Sequence, residues 1–145
     1  MLKESRLEKT LKKMMTPKCK NEYEEQVAVM EWAEKLSIRH PYLSFLFHIP
    51  NGGYRDPITA SRLKRAGVKP NVPDLFLAVP MNGFSGLFVE MKSLGGTTPK
   101  KQALFHQQLR VLGYGVVVCK GAESAKAAIR NYLYLEGLED LESLE

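Results

Sequence analysis

The chain has 145 residues with a formal net charge of +5, and 44% of its residues are hydrophobic. This length and composition fit one domain with its own core and exclude a disordered chain. No apolar run approaches the ~18–20 residues that cross a bilayer, and residues 1–20 lack the apolar stretch of a signal peptide. The two cysteines are too few for a disulfide framework or a four-thiolate zinc site. We therefore expect a cytoplasmic protein that does not bind membranes.

The charge is distributed unevenly along the chain. Residues 136–145 carry five acidic and no basic side chains, so the remainder is more basic than the net charge indicates. A basic domain is compatible with a polyanionic partner, most commonly nucleic acid, although it also fits a merely soluble surface. The pattern predicts a basic N-terminal arm or helix over residues 1–20, a domain over residues 21–135 and an acidic tail over residues 136–145.

The first predicted element of the domain is a helix over residues 22–39. Asn21 is a candidate N-cap, and the dipeptide His40-Pro41 is expected to end the helix. Apolar residues at helical spacing predict a buried stripe. That stripe consists of Tyr23, Val27, Met30 and Ala33.

Two further elements are predicted before the middle of the chain. The apolar and aromatic run from Leu43 to Ile49 is typical of a strand. The pair Asp56-Pro57 supplies an N-cap followed by proline at the first helical position, and Gly67 follows the last periodic residue. The pattern therefore predicts a helix over residues 57–66.

The centre of the domain reads as a β-hairpin. The runs 74–79 and 84–92 are predicted strands, and Asn82-Gly83 between them is a strong signal for a tight hairpin turn. A helix is then expected from Pro99 to Leu112, a buried strand over residues 114–119 and a helix over residues 122–135. This order indicates a mixed α/β domain with helices on both faces of the sheet.

Three charged residues of the hairpin point to chemistry. Glu90 and Lys92 are two residues apart on one strand, so their side chains project from the same face. If the turn centres on Asn82, Asp74 lies opposite Glu90 or within one residue of it. Two carboxylates this close repel unless a cation lies between them, and oxygen ligands suit Mg²⁺ or Mn²⁺. Lys92 could then polarise a metal-bound water or neutralise charge on a phosphate.

An ordinary surface ladder of charges on a half-exposed strand is the alternative interpretation. The residues around the three charges oppose it, because they make both strands look buried, and charges in buried strands need a partner. These apolar neighbours are Leu75, Phe76, Leu77, Leu87, Phe88 and Val89.

Pro73-Asp74 followed by Glu90-Met91-Lys92 resembles the PD-(D/E)xK nuclease superfamily. More narrowly, the chain resembles a stand-alone VRR-NUC domain of the kind found in bacteriophages and at the end of the Fanconi-associated nuclease. The family often has glycine where Asn71 stands. The matching stretches, within residues 22–133, are Glu22 to Gln26, Pro50 to Gly53 with Arg55, Arg62 to Lys64, Gly67 to Pro70, Val72 to Leu75, Gly86 to Lys92, Gln102 and Gly113-Tyr114.

The resemblance implies a PD-(D/E)xK restriction-endonuclease-like core, with a mixed central sheet and helices on both faces, that hydrolyses phosphodiester bonds with Mg²⁺ or Mn²⁺. It implies that Asp74, Glu90 and the carbonyl of Met91 hold the metal, that Lys92 acts on the attacking water, and that Gln102 braces the site. A plain solvated glutamine is the alternative for Gln102.

A glutamate on the first helix usually completes such sites. Glu22 fits the family spacing best, Glu25 is the second choice, and Glu24 is expected to be solvated. This domain type also implies a bacterial or phage-infected host cell.

Basic side chains are expected to contact the phosphates of DNA. The candidates are Arg55, Arg62, Lys64, Arg65, Lys69, Lys100 and Lys101. His40, His48 and His106 show no metal-ligand spacing, and His48 is predicted to be a core histidine.

We expect a structure-selective endonuclease acting on branched DNA, four-way junctions or flaps, and working as a homodimer. A non-catalytic nucleic-acid-binding module with the same fold is the alternative. The apolar residues Leu7, Leu11 and Met14 offer a dimer interface, or they fold back on their own domain.

Overall fold

The computed structural model describes residues 21–51 and 55–135. The predicted N-terminal arm, the acidic tail and the Gly52-Gly53 turn lie outside these residues. No helix among the described residues is long and apolar enough to cross a membrane.

The described chain alternates helices with short strands, in the order that the sequence predicts. A short 3₁₀ helix lies between the first helix and the first strand. In chain order the elements are α1 (Glu22–Leu36), the 3₁₀ helix (Pro41–Phe45), β1 (Leu46–His48), α2 (Pro57–Arg65), β2 (Leu75–Leu77), β3 (Leu87–Lys92), α3 (Lys100–Val111), β4 (Gly115–Lys120) and α4 (Ala122–Leu133).

The four strands form one mixed sheet in the order β1-β2-β3-β4. The pairs β1–β2 and β2–β3 are antiparallel, whereas β3 and β4 are parallel. In the central hairpin Leu75 pairs with Val89 and Leu77 with Leu87. The register predicted from the turn is therefore confirmed, and it aligns Asp74, just before β2, with Glu90 of β3.

A tight turn joins the two strands of the hairpin. Asn82 and Gly83 both have positive φ, at 55° and 79°, as a type I′ turn requires. Met81 and Phe84 on either side exchange two backbone hydrogen bonds of 2.9 and 3.1 Å. Met81 pairs with Phe84 across the turn, one residue out of step with the pairs Leu77–Leu87 and Leu75–Val89. The turn register alone would set Asp74 opposite Met91, so the irregular residues 78–80 and 85–86 absorb the one-residue offset and place Asp74 opposite Glu90.

One face of the sheet is apolar, and the opposite face carries the charged residues Glu90 and Lys92. Leu87, Val89 and Met91 alternate along β3 and are buried in the core, against α1 and α4. The residues between them point to the opposite face, where α3 lies. Helices thus cover both faces, as predicted, and Glu90 and Lys92 lie between the sheet and α3.

Side chains cap the first two helices as the sequence indicates. The Asn21 side chain accepts a 2.8 Å hydrogen bond from the Glu24 backbone N–H. Asp56 accepts one of 2.9 Å from the Thr59 backbone N–H, and Pro57 follows it at the first helical position. These contacts satisfy amide groups that have no partner within the helix.

Three details of the prediction are wrong. Residues 43–45 are not a strand, because Pro41 fixes a helical φ and starts the 3₁₀ helix. Tyr23 is 74% exposed, and α1 instead buries Val29 and Trp32 with Ala33. Strand β4 is not fully buried, since its Val118 is 38% exposed beside the open part of the α3 face.

Asn71 adopts a left-handed conformation with φ at 68°. The family that this chain resembles often has glycine here, and asparagine is among the few other residues that tolerate this region. Asn71 therefore supplies a left-handed bend shortly before Pro73-Asp74.

Candidate active site

Asp74 is held at the beginning of β2 by hydrogen bonds from both neighbouring strands. Its side-chain Oδ2 accepts a 2.7 Å hydrogen bond from the Met91 backbone N–H of β3. Its backbone carbonyl accepts one of 2.7 Å from the Ile49 N–H and lies 2.8 Å from His48 Nδ1. The carboxylate and the backbone of Asp74 are thus fixed independently of each other.

Glu90 brings a carboxylate into a nearly closed environment, with only 2% of the residue exposed. Its Oε1 lies 3.2 Å from Lys92 Nζ and accepts a 3.3 Å hydrogen bond from Gln102 Nε2. Burial, and secondly the nearby charge of Asp74, raise the pKa of Glu90 to about 7, although Lys92 opposes the shift.

Gln102 of α3 forms hydrogen bonds with both Lys92 and Glu90. Its amide nitrogen donates to Glu90, while its amide oxygen accepts a 2.9 Å hydrogen bond from Lys92 Nζ. The predicted bracing contact is therefore present, and the solvated-glutamine alternative is wrong. Because one amide serves two oppositely charged groups, it sets their spacing.

The second oxygen of Glu90 has no hydrogen-bond partner among residues 21–51 and 55–135. Both Glu90 Oε2 and the facing Nε2 of His106 are buried without a hydrogen bond, and they are 3.8 Å apart. Burial is the main reason why the pKa of His106 is lowered, which favours the neutral ring. A neutral ring supplies no opposite charge to Glu90 Oε2, so Lys92, on the other oxygen, is the cation that faces this carboxylate among the described residues.

The residues present fit a hard divalent cation. A buried carboxylate with a free oxygen lies beside a second carboxylate, Asp74, whose charge raises the pKa of Glu90. Oxygen atoms are the ligands that Mg²⁺ and Mn²⁺ prefer. Among residues 21–51 and 55–135, however, no group of three His, Cys, Asp or Glu side chains is placed to hold an ion. A third protein ligand from this part of the chain would therefore be a neutral oxygen, such as a backbone carbonyl.

The structure does not bring a glutamate of α1 into this cluster. Glu25, the second choice for that role, accepts a hydrogen bond from the Ala122 N–H at the beginning of α4. Glu22 and Glu24 are exposed in the first turn of α1. Participation of Glu22 stays a prediction, whereas Glu25 has a structural contact of its own.

Basic side chains lie on two segments around the site. Arg62, Lys64 and Arg65 are exposed on the last turns of α2, and Lys100 and Lys101 are exposed where α3 begins. The α3 pair directly precedes Gln102. A cavity lies beside α2, and Arg55, Lys64 and Lys69 are among its lining residues.

The contacts of two histidines, His48 and His106, were not predicted from the sequence. His48 is exposed, so its assignment as a core histidine is wrong, and it contacts the Asp74 carbonyl. His106 is 1% exposed and faces Glu90. The available signal for His106 was its spacing: it lies four residues after Gln102 and hence on the same face of the helix.

Comparison with known proteins gives a consistent result. The model of the VRR-NUC domain family matches residues 20–123. A solved structure described as a VRR_NUC domain protein is 29% identical, with a TM-score of 0.68 over 82% of this chain and 93% of that chain. No curated protein matches the chain.

Glu90 makes the stability of the metal-free protein depend on pH. Its pKa is about 7 in the folded state against an ordinary value of 4.5, so the folded state binds the proton more tightly between these values. The contribution of Glu90 to the free energy of unfolding should therefore fall as pH rises from about 4.5 to about 7. Urea denaturation in EDTA, compared between wild type and Glu90→Gln, isolates it. An identical pH dependence in both proteins would contradict the assignment.

Proposed function

We propose, because this chain belongs to the VRR-NUC domain family, that it is a metal-dependent, structure-selective endonuclease for branched DNA, such as four-way junctions or flaps. The family implies nuclease-type activity with DNA as substrate. The metal requirement and the branched substrate are our inference. The observation that carries it is the buried Glu90 carboxylate, whose Oε2 has no partner, beside Asp74 and Lys92.

Asp74 and Glu90 would hold Mg²⁺ or Mn²⁺, together with the backbone carbonyl of Met91. When bound, the cation supplies Lewis acidity toward the phosphate and lowers the pKa of water. The Met91 N–H keeps Asp74 oriented from the next strand. Since Glu90 is held through Oε1, its Oε2 remains available as a ligand.

Lys92 is placed to act on the reacting groups. Its ammonium lies 3.2 Å from Glu90 and is fixed by Gln102, so it needs little rearrangement to orient a water or to stabilise charge on the phosphate. Gln102 acts through Lys92 and Glu90 and is therefore a positioning residue. A non-catalytic module would not need this arrangement, and for that reason we favour an enzyme.

The exposed cations of α2 and of the first turn of α3 would hold the DNA backbone. Arg62, Lys64 and Arg65 form one group on α2. Lys100 and Lys101 form the other and directly precede Gln102 in the chain. Contacts of this kind position the duplex without reading its sequence. Selectivity for DNA shape rather than for sequence would follow.

We also propose a homodimer for cutting four-way junctions. One domain with one active site makes one cut, whereas symmetric resolution needs two, and a two-fold dimer is the commonest closed assembly. The apolar residues Leu7, Leu11 and Met14 of the N-terminal segment offer an interface. A related junction resolvase would differ only in the geometry of its dimer.

Cleavage assays test the function directly. Wild-type protein should cut labelled flaps, splayed arms or four-way junctions in Mg²⁺ or Mn²⁺ and should be inactive in EDTA. Asp74→Ala should abolish cleavage but retain DNA binding, because it removes a negative charge that faces the phosphates. Glu123→Ala changes an exposed acid elsewhere and serves as the matched control. Cleavage by Asp74→Ala at the wild-type rate would refute the proposed site.

Lys92→Ala should slow cleavage by roughly 10²–10³-fold, as the loss of one transition-state donor does. Single-turnover rates at saturating metal measure the effect, with the exposed Lys35→Ala as control. Metal affinity measured by calorimetry should change little. If the variant loses metal binding instead, Lys92 is a structural partner of the carboxylates.

Phosphate contacts make DNA affinity depend on salt. Each contact on duplex DNA contributes a slope of ~0.9 in log K against log salt. The double substitution of Arg62 and Arg65 by alanine should make the slope shallower by up to about 1.8 and leave the cut positions unchanged. The control variant carries alanine at Lys35 and Arg39, which removes the same charge from the end of α1 and the turn that follows it. An unchanged slope for the Arg62 and Arg65 variant would mean that α2 faces away from the DNA.

Sedimentation analysis tests the dimer. The intact chain should sediment as a dimer, and a chain that starts at Asn21 should sediment as a monomer. A monomeric intact protein that still cuts junctions symmetrically would contradict the proposal. A truncated chain that stays dimeric would contradict the N-terminal interface.

A further inference from the structure

A cavity of about 590 Å³ lies between α2, the turn that follows it, and the residues Asn51 and Arg55. This volume is in the range of sites that enclose small molecules. In the part of the chain that the structure describes, three cations line it, Arg55, Lys64 and Lys69, and no acidic residue does. Leu63 and Val68 add apolar surface. The lining of the cavity thus combines positively charged and apolar side chains.

One wall of the cavity is built by the end of α2. Gly67 has φ at 108°, and its N–H donates to the Lys64 carbonyl. The Val68 N–H donates to the Leu63 carbonyl at 3.0 Å. This pair of hydrogen bonds is a Schellman motif, which packs the residue after the turn against the last turn of the helix. Leu63 and Val68 are therefore held side by side.

The cavity is connected to the catalytic strand. Asn51, on its lining, donates a side-chain hydrogen bond to the Val72 carbonyl, two residues before Asp74. Two residues before Asn51, the Ile49 N–H donates to the carbonyl of Asp74 itself. The cavity and the candidate active site are therefore both tied to the same end of β1 and β2.

We infer that this cavity binds one unpaired nucleotide of the branched DNA substrate, with its phosphate on the cations and its base against Leu63 and Val68. A concave site accepts a group that protrudes from the DNA, whereas a duplex presents a continuous backbone with its bases stacked inside. Only an unpaired base offers a free apolar face to the wall. The inference rests on the proposed function and names the DNA feature that this site selects.

The test fills the cavity without changing its charge. Ala60 lines the cavity from the exposed side of α2, and the neighbouring Ser61 is exposed but is not part of the lining. Ala60→Trp would occupy the space of the base, and Ser61→Trp adds the same ring outside it. Both changes are made in the Asp74→Ala background in metal-free buffer, so that the DNA stays intact.

The measured quantity is affinity for two labelled probes, a duplex with a single-stranded flap and a fully paired duplex of equal length. Ala60→Trp should weaken flap binding by roughly 5- to 30-fold, which is the range for losing about 40–80 Å² of apolar contact, and leave duplex binding unchanged. Ser61→Trp should leave both unchanged. Equal weakening of both probes, or no weakening of flap binding, would overturn the inference.

Failure of the inference is distinguishable from failure of the proposed function. The binding comparison requires neither metal nor catalysis. If wild-type protein fails to cut DNA but Ala60→Trp selectively loses flap binding, the enzyme proposal is wrong and the nucleotide site stands. If wild-type protein cuts flaps and Ala60→Trp binds them normally, the enzyme stands and the nucleotide site is wrong.

Discussion

The structure depends on one buried carboxylate. Glu90 lies at the centre of the sheet, where the cost of removing a charge from water is large unless other groups compensate for it. Lys92 and Gln102 neutralise and hold one of its oxygens, and the other oxygen is left free. That asymmetry separates this site from a structural ion pair, in which both oxygens are typically satisfied. It also explains why α3 lies on this face, since this helix supplies both Gln102 and His106.

The pairing register of the hairpin brings Asp74 and Glu90 together. Asn82 and Gly83 reverse the chain, and the pairs Leu75–Val89 and Leu77–Leu87 align Asp74 with Glu90. A shift of one residue would exchange the two faces of a strand, moving Glu90 into the apolar core and Val89 toward α3. The apolar alternation of Leu87, Val89 and Met91 and the geometry of the turn therefore act together to specify the site.

The parts that were predictable from sequence are those that local chemistry decides. Asn21 and Asp56 indicated two helix starts, Asn82-Gly83 indicated the hairpin turn, and the spacing of Glu90 and Lys92 placed both on one face. The errors arose where tertiary packing decides. Tyr23 has helical spacing with the core residues of α1 but faces solvent. The contact between His106 and Glu90 joins α3 to β3, and the hydrophobic pattern of neither element indicates that the two residues meet. The contact of Glu25 with the beginning of α4 spans almost the whole domain, and no local pattern signals it.

The central claim is that Asp74 and Glu90 form a site for a divalent cation, and titration of Mn²⁺ into the DNA-free protein tests it most directly. Calorimetry, with electron paramagnetic resonance of the free ion as a second readout, would measure binding to wild type, to Asp74→Asn and to Glu90→Gln. Glu123→Gln changes an exposed carboxylate and serves as the control. We predict specific binding in wild type and in the control, and its loss in both site variants. Equal Mn²⁺ affinity in all four proteins would contradict the claim.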